Sequence, residues 1–256
     1  MPTVVDKSLR DRISKAITEA LRPLPIVFAG WEGGSAAFGG VDEYSDIDLT
    51  YLVADDASFE LLYASAERAL EMVSSITGSH DTPPGRYYML KDAGAFLLVD
   101  LSFELAGAPD HYLDVERHGH ILPLFDKGDW LRPKPLDDEA LERKRLKRFR
   151  ELQVWFIPSQ SFPRKAILRG QHAEAMNAYW MATVRPLAEL LRMRYCPARW
   201  DFGMRYLDRD LPPALYDRVR DLAFVQDLND LETKLSIATT WGAELLRELD
   251  SESVGS

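Results

Sequence analysis

Residues 26–53 read IVFAGWEGGSAAFGGVDEYSDIDLTYLV, and this segment decides the fold. The short apolar run Ile26 to Ala29 predicts a buried strand, which the glycine-rich passage 30–40 follows. Over residues 46–53, apolar side chains alternate with two aspartates and a threonine, the period-two pattern of a second strand. The segment therefore predicts a strand, a glycine-rich loop with a short helical turn, and another strand.

Periodic apolar patterns around this segment predict further elements of the same domain. They are helices over residues 6–22 and 58–76, and strands over residues 86–90 and 94–103. The last of these strands carries apolar residues on both faces, which is typical of the middle of a sheet.

The strand patterns stop near residue 137, and long helical patterns replace them. The predicted helices cover residues 137–156, 164–195 and 214–249. Pro186 should kink or divide the second of these helices, because proline lacks the amide proton of a helical hydrogen bond. We therefore predict two domains, residues 1–133 and residues 134–256, of which the second is helical.

Composition excludes several classes of protein. The 256 residues include 31 Lys and Arg against 41 Asp and Glu, a net charge of −10, which argues against a general nucleic-acid binder. The single cysteine, Cys196, rules out a disulfide framework or a cysteine-rich zinc module and favours a reducing compartment. Neither a signal peptide after Met1 nor an apolar run of about 18 residues is visible, so we expect a cytoplasmic protein without a membrane span.

Three aspartates carry the candidate chemistry. Asp46 and Asp48 are two residues apart on a predicted strand, so both carboxylates project from one face and could share a hard cation. An Asp-x-Asp alone is also common on solvated strands. Asp100 lies in an apolar run, where an unpaired buried carboxylate would cost several kcal/mol, so it needs a metal ion or a hydrogen-bond partner.

The order Gly34-Ser35, Gly39, Ser-Asp-Ile-Asp-Leu over residues 45–49, and Asp100 resembles the DNA polymerase beta-like nucleotidyltransferase superfamily, in particular its small bacterial members that modify antibiotics. The resemblance covers about residues 24–105. It implies an α+β fold, in which an N-terminal nucleotidyltransferase catalytic domain (a mixed β-sheet with helices) precedes a C-terminal helical bundle that binds the acceptor substrate.

The resemblance also implies an activity and its cofactors. The enzyme would transfer a nucleoside monophosphate, AMP from ATP, to a hydroxyl of a small molecule such as an aminoglycoside-like or lincosamide-like antibiotic. Gly34 and Ser35 would hold the triphosphate, and Asp46 and Asp48 would bind two Mg²⁺ ions. Asp100 would complete the shell of the second ion and take up the proton of the acceptor hydroxyl. The implied partners are a nucleoside triphosphate and a small-molecule acceptor, without nucleic acid or membrane.

Other charged residues leave alternatives open. Glu104 shares a strand face with Asp100 if the strand continues, although we expect it beyond the strand end, and Glu174 could orient an acceptor. The basic run 143–150 is either the solvated face of a helix or a set of cations that neutralise the triphosphate, a role for which Lys165 and Arg169 compete.

Two other functions remain compatible with the sequence. One is a non-catalytic or regulatory module of the same fold, such as an antitoxin, and the other is transfer of AMP to a protein. The retained carboxylates and the chain's own helical domain speak against the first. The acidic composition suits a cationic acceptor, while the acceptor itself, the preferred base and the oligomeric state stay open.

Overall fold

The computed structural model describes residues 7–83, 85–94, 96–107 and 114–254. The chain divides into two compact units, Met1–Leu136 and Asp137–Ser256. The first unit contains a mixed sheet with helices and the second is helical, which confirms the predicted α+β class. No helix in the described ranges has both the length and the apolar character that crossing a membrane requires.

Six strands form one sheet in the described part of the first unit. They are β1 (Val27–Glu32), β2 (Ile47–Val53), β3 (Ile76–Asp81), β4 (Gly85–Leu90), β5 (Leu98–Leu105) and β6 (Leu122–Asp126). Their order is β3-β4-β5-β2-β1-β6, with β2 and β5 parallel and the other neighbours antiparallel. The sequence patterns miss the two edge strands, β3 and β6, because most of their side chains are exposed and show no alternation.

The helices of the first unit are α1 (Lys7–Leu21), α2 (Gly34–Ala37), α3 (Phe59–Val73) and α4 (Val115–His118). The longer two, α1 and α3, pack together over one face of the sheet. Alternate side chains of β2 and β5 enter this core, among them Ile47, Leu49, Val99 and Leu101. The intervening residues of both strands therefore point to the opposite face, where the aspartates lie.

The second unit is built from seven helices in its described residues. They are α5 (Asp138–Ser159), α6 (Ser161–Leu168), α7 (His172–Tyr179), α8 (Arg185–Tyr195), α9 (Leu207–Asp210), α10 (Pro213–Ala223) and α11 (Leu228–Val254). A π-helical turn, Trp180–Val184, joins α7 to α8. The long C-terminal helix that the sequence predicts is in fact two helices, α10 and α11.

The prediction of a helix over residues 164–195 that breaks at Pro186 is also wrong. The break lies at Gly170, whose φ of +68° ends α6, and the amide of Gln171 donates to the carbonyl of Ala166 across this end. Pro186 is instead the second residue of α8, directly after the π-helical turn, where its missing amide proton is tolerated. The chain therefore turns at a glycine and continues through the proline.

Candidate active site

The parallel pairing of β2 and β5 brings two aspartates side by side. Asp48 and Asp100 are partners in the strand register, and both lie on the sheet face opposite the α1–α3 core. Two residues further along, the hydroxyls of Thr50 and Ser102 hydrogen bond at 3.0 Å. This polar ladder places two carboxylates at neighbouring positions in the centre of the sheet.

Asp46 lies at the entrance of β2 and is fixed to β5. Its Oδ1 atom accepts a hydrogen bond from the backbone amide of Leu98 at 3.1 Å. The negative charge of Asp46 also contributes to the raised pKa of Asp100, which shows that these two carboxyl groups interact. The structure therefore brings Asp46 and Asp48 near Asp100.

The glycine-rich loop packs closely against Asp48. The amide of Gly33 donates to the backbone carbonyl of Asp48 at 2.9 Å. Gly34 has a φ of +55°, and a Cβ atom at this residue would come within 1.8 Å of Asp48 Oδ2. No residue with a side chain fits there without moving the carboxylate, so Gly34 is required by both its conformation and its contact.

Ser35 follows in α2 and presents a buried hydroxyl. Its Oγ atom has no hydrogen-bond partner among the described residues, whereas its carbonyl accepts from the amide of Gly40 at 3.0 Å. Buried hydroxyls are usually hydrogen bonded, so an unpartnered one beside a carboxylate cluster indicates a group that a ligand completes.

Tyr87 joins the site from β4, although nothing in the sequence beyond the strand pattern pointed to it. It lies opposite Asp100 in the antiparallel β4–β5 register, and its hydroxyl hydrogen bonds to the Asp100 carboxyl. Burial, that hydrogen bond and the charges of the three aspartates raise the pKa of Tyr87 to about 12. The tyrosine therefore stays protonated and can act as a hydrogen-bond donor in the site.

Asp100 is the carboxylate with the most perturbed surroundings. Burial raises its pKa above the ordinary value, the hydrogen bond from Tyr87 opposes this, and the charge of Asp46 raises it further. Its Oδ1 atom is buried and has no hydrogen-bond partner within the described residues. Such an arrangement favours either a bound proton or a compensating cation.

Arg10 supports the site from α1. Its side chain is buried, forms an ion pair with Glu32 at the end of β1, and donates to the backbone carbonyls of Ser45 at 3.2 Å and Asp46 at 2.5 Å. The guanidinium thus connects the end of β1, just before the glycine loop, with the two residues that precede β2. Arg10 lies three residues before the buried Ile13 and shares its helical face.

Four further candidate residues are Glu104 of β5 and three residues of the second unit. Glu104 was expected beyond the strand end, and this expectation is wrong, because β5 continues to Leu105 and pairs Glu104 with Leu52. It stands four residues from Asp100, about 13 Å at ~3.3 Å per residue. The other three are exposed and belong to the second unit: Lys165, Arg169 and Glu174.

The three aspartates are candidate ligands of a metal ion. Within the described residues, no group of three or more His, Cys, Asp or Glu side chains has the geometry of a metal centre. The residue types nevertheless suit a hard cation, because all three are carboxylates whose charges act on Tyr87, and Asp100 Oδ1 lacks a hydrogen-bond partner among the described groups. A divalent ion would offset both the burial and the repulsion from Asp46 that raise the pKa of Asp100.

Comparisons with known proteins were made for the whole chain. No protein-family model matches it, and no curated protein matches its sequence. Similar solved structures include a spectinomycin adenyltransferase from Enterococcus faecialis with ATP and spectinomycin (12% identity, 94% of this chain, 99% of that chain, TM-score 0.39). Others are an aminoglycoside 6-adenyltransferase from Bacillus subtilis (14%, 93%, 89%, 0.34) and a STING-associated c-di-GMP synthase from Capnocytophaga granulosa (15%, 98%, 84%, 0.32).

Two of these proteins are adenyltransferases, and the third is a c-di-GMP synthase. Since every TM-score is below 0.5, we base the function on the residues of the site.

Proposed function

We propose that this protein is a nucleotidyltransferase that moves AMP from ATP to a hydroxyl group of a small molecule and requires Mg²⁺. The observation that carries this proposal is the meeting of Asp46, Asp48 and Asp100 beside the Gly34 loop, with one oxygen of Asp100 buried and without a hydrogen-bond partner among the described residues. Three gathered carboxyl groups without a compensating cation are unfavourable unless a ligand supplies one.

Each residue of the site has a distinct part in the proposed reaction. Asp46, Asp48 and Asp100 would hold two Mg²⁺ ions, which when bound stabilise negative charge on the attacking and leaving oxygens. Gly34 lets the loop approach the carboxylates, and the Ser35 hydroxyl is free to donate to a phosphate oxygen of the triphosphate.

The transfer itself balances without any further reactant. The acceptor oxygen forms a bond to the α-phosphorus, the bond from that phosphorus to the bridging oxygen breaks, and pyrophosphate leaves. Asp100 accepts the proton of the acceptor hydroxyl. Tyr87 donates a hydrogen bond to the same carboxyl and orients it.

The helical unit would supply the acceptor site, and Lys165 and Arg169 would neutralise part of the triphosphate charge. Both are exposed cations without an ion-pair partner among the described residues. We expect Lys165→Gln and Arg169→Gln to raise KM for ATP and leave kcat nearly unchanged, because a contact to the triphosphate is made in the ground state as well.

A binding and turnover experiment tests the proposal. Titration of ATP into the purified protein with Mg²⁺ should show saturable binding, and a screen of antibiotics and metabolites should reveal an acceptor that releases pyrophosphate. Asp48→Asn should abolish turnover, whereas Asp56→Asn, an exposed aspartate of the same unit, should not change it. If ATP does not bind, or if Asp48→Asn and Asp56→Asn behave alike, the proposal is wrong.

The same assay separates the two other functions considered from the sequence. Labelled ATP incubated with cell lysate would label a protein band if the acceptor were a protein hydroxyl. A regulatory module would instead bind a partner and leave pyrophosphate release at background.

A further inference from the structure

The helical unit contains a groove that the proposed transfer does not use. Its volume is about 1100 Å³, and it is lined by α5, the start of α6, the π-helical turn and the start of α8. All of its lining residues belong to the second unit. Part of the basic run 143–150, for which the sequence left two interpretations open, also lines the groove.

Two hydrogen bonds establish the direction in which the segment 182–189 runs along α5. Arg148 Nε donates to Glu189 Oε2 at 2.7 Å in the middle of α5, and Gln160 Nε2 donates to the carbonyl of Ala182 at 2.8 Å just past its end. The segment 182–189 therefore runs antiparallel to α5. One end of the groove lies beside the first half of α5, and the other beside its last turns and α6.

The first end is basic. Arg143, Lys147 and Arg150 follow one another at intervals of four and three residues, lie on one face of α5 and line the groove. Arg143 pairs with Glu139 at 3.6 Å, whereas Lys147 and Arg150 have no ion-pair partner among the described residues. This end therefore attracts a negatively charged group locally, although the whole chain has a net charge of −10.

The other end is apolar. Val154 is 74% exposed and Trp155 is 57% exposed, and both line the groove together with Phe162 and Met181. The rings of Trp155 and Phe162 are in contact, with centroids 6.2 Å apart. Large apolar side chains that are exposed side by side usually mark a binding surface.

We propose that this groove binds an amphipathic anion, a small molecule with an apolar chain or ring system and one acidic group. The apolar part would lie against Trp155 and Phe162, and the acidic group would pair with Lys147 and Arg150. Lys147 and Trp155 are eight positions apart on α5, about 12 Å at ~1.5 Å per residue, which suits an elongated ligand. A volume of about 1100 Å³ is close to that of small-molecule sites, roughly 300–1000 Å³.

Four probes with the same apolar chain test the charge preference. Calorimetric titration of the full chain with dodecanoate and dodecyl phosphate, below their micellar concentrations, should show saturable binding, and the stronger of the two identifies the acidic group. Dodecanol and dodecyltrimethylammonium should bind at least tenfold more weakly. Addition of salt should weaken binding of the anions.

Substitutions at the two ends of the groove test where the anionic probes bind. Lys147→Gln combined with Arg150→Gln should weaken binding of the anionic probes at least tenfold, and so should Val154→Asp at the other end. Lys144→Gln is the matched control, since Lys144 lies on α5 but does not line the groove. Far-UV circular dichroism should be the same for all of these variants.

Several results would overturn the proposal. One is that the cationic probe binds as tightly as the anionic probes. Another is that the Lys147→Gln/Arg150→Gln variant binds the anionic probes with unchanged affinity. A third is that Val154→Asp converts a dimer to a monomer, which would assign the groove to a second copy of the chain. Loss of ATP affinity in the Lys147→Gln/Arg150→Gln variant would instead assign these cations to the nucleotide. The inference does not depend on the transferase activity, because the probes are read by binding alone.

Discussion

Arg10 and Glu32 form a buried ion pair that joins the first helix to the last residue of β1. The same guanidinium also holds the backbone carbonyl of Asp46. One side chain thus connects the strand that ends at the glycine loop with the strand that carries the aspartates.

Arg10→Met should destabilise the protein by about 3–5 kcal/mol, because it leaves the Glu32 carboxylate buried without its partner. The free energy of unfolding in urea measures this. Lys15→Met, which removes an exposed pair with Glu19 on the same helix, should cost less than ~1 kcal/mol. Equal effects of the two substitutions would contradict a structural role for the buried pair.

The double variant Arg10→Met/Glu32→Leu separates stability from positioning. It removes both charges, so most of the lost stability should return. Turnover should stay low, because the carbonyl of Asp46 still lacks its donor. Recovery of activity together with stability would show that Arg10 does not position Asp46.

Gly34→Ala should lower turnover by about a hundredfold or more, because the new Cβ would displace the Asp48 carboxylate. Gly39→Ala is the control, since Gly39 has a similar φ of +64° but open space around it, so this variant measures backbone strain alone. Steady-state kinetics and urea unfolding of both variants give the comparison. If the two lose activity equally, the contact with Asp48 is not the cause.

Asp100→Asn should make the ligand-free protein more stable at neutral pH. A raised pKa means that the folded state disfavours the ionised carboxyl, and the amide removes that charge. The same variant should lose the stabilisation that Mg²⁺ with a non-hydrolysable ATP analogue gives the wild-type protein, about 2.7 kcal/mol at a hundred times Kd. Thermal melts with and without ligand test both parts, and a variant that is destabilised without ligand would contradict the first.

Asp210 should make the helical unit sensitive to acid. Burial raises its pKa, but hydrogen bonds from Arg199 and from the fully buried Arg192 outweigh this and hold the pKa below its ordinary value. Its contribution to stability is therefore complete above about pH 4 and is lost as the pH falls through the lowered value. Asp210→Asn should be much less stable than the wild type at pH 7, and the difference should shrink towards pH 2. Urea unfolding at several pH values, followed by tryptophan fluorescence, checks this, and a constant difference would argue against the ion pairs.

The residues of the site that could be predicted share one property, which is that their signals are local. Gly34, Asp46 and Asp48 fall within one strand–loop–strand segment, and alternation alone assigns both aspartates to one face. Asp100 was recognisable as a carboxylate in an apolar run. Each of these inferences needs only a window of about ten residues.

Tyr87 and Arg10 could not be assigned to the site from the sequence, because their roles depend on register and distance. Tyr87 faces Asp100 only through the antiparallel pairing of β4 with β5, and no pattern in the chain specifies that register. Arg10 likewise lies 22 residues from its partner Glu32, on another element, so no local pattern links the two. The break at Gly170 was missed because the apolar spacing of three and four residues that predicts this helix begins at Met176, beyond the glycine.

The parallel pairing of β2 with β5 has a consequence for how the molecule folds. Asp48 and Asp100 are separated by 52 positions along the chain, with α3 and the β3–β4 hairpin between them. Such a distant pairing closes slowly, after local helices and hairpins have formed. We expect the acidic cluster to be assembled in one of the last steps, so that a partly folded chain does not bring these charges together.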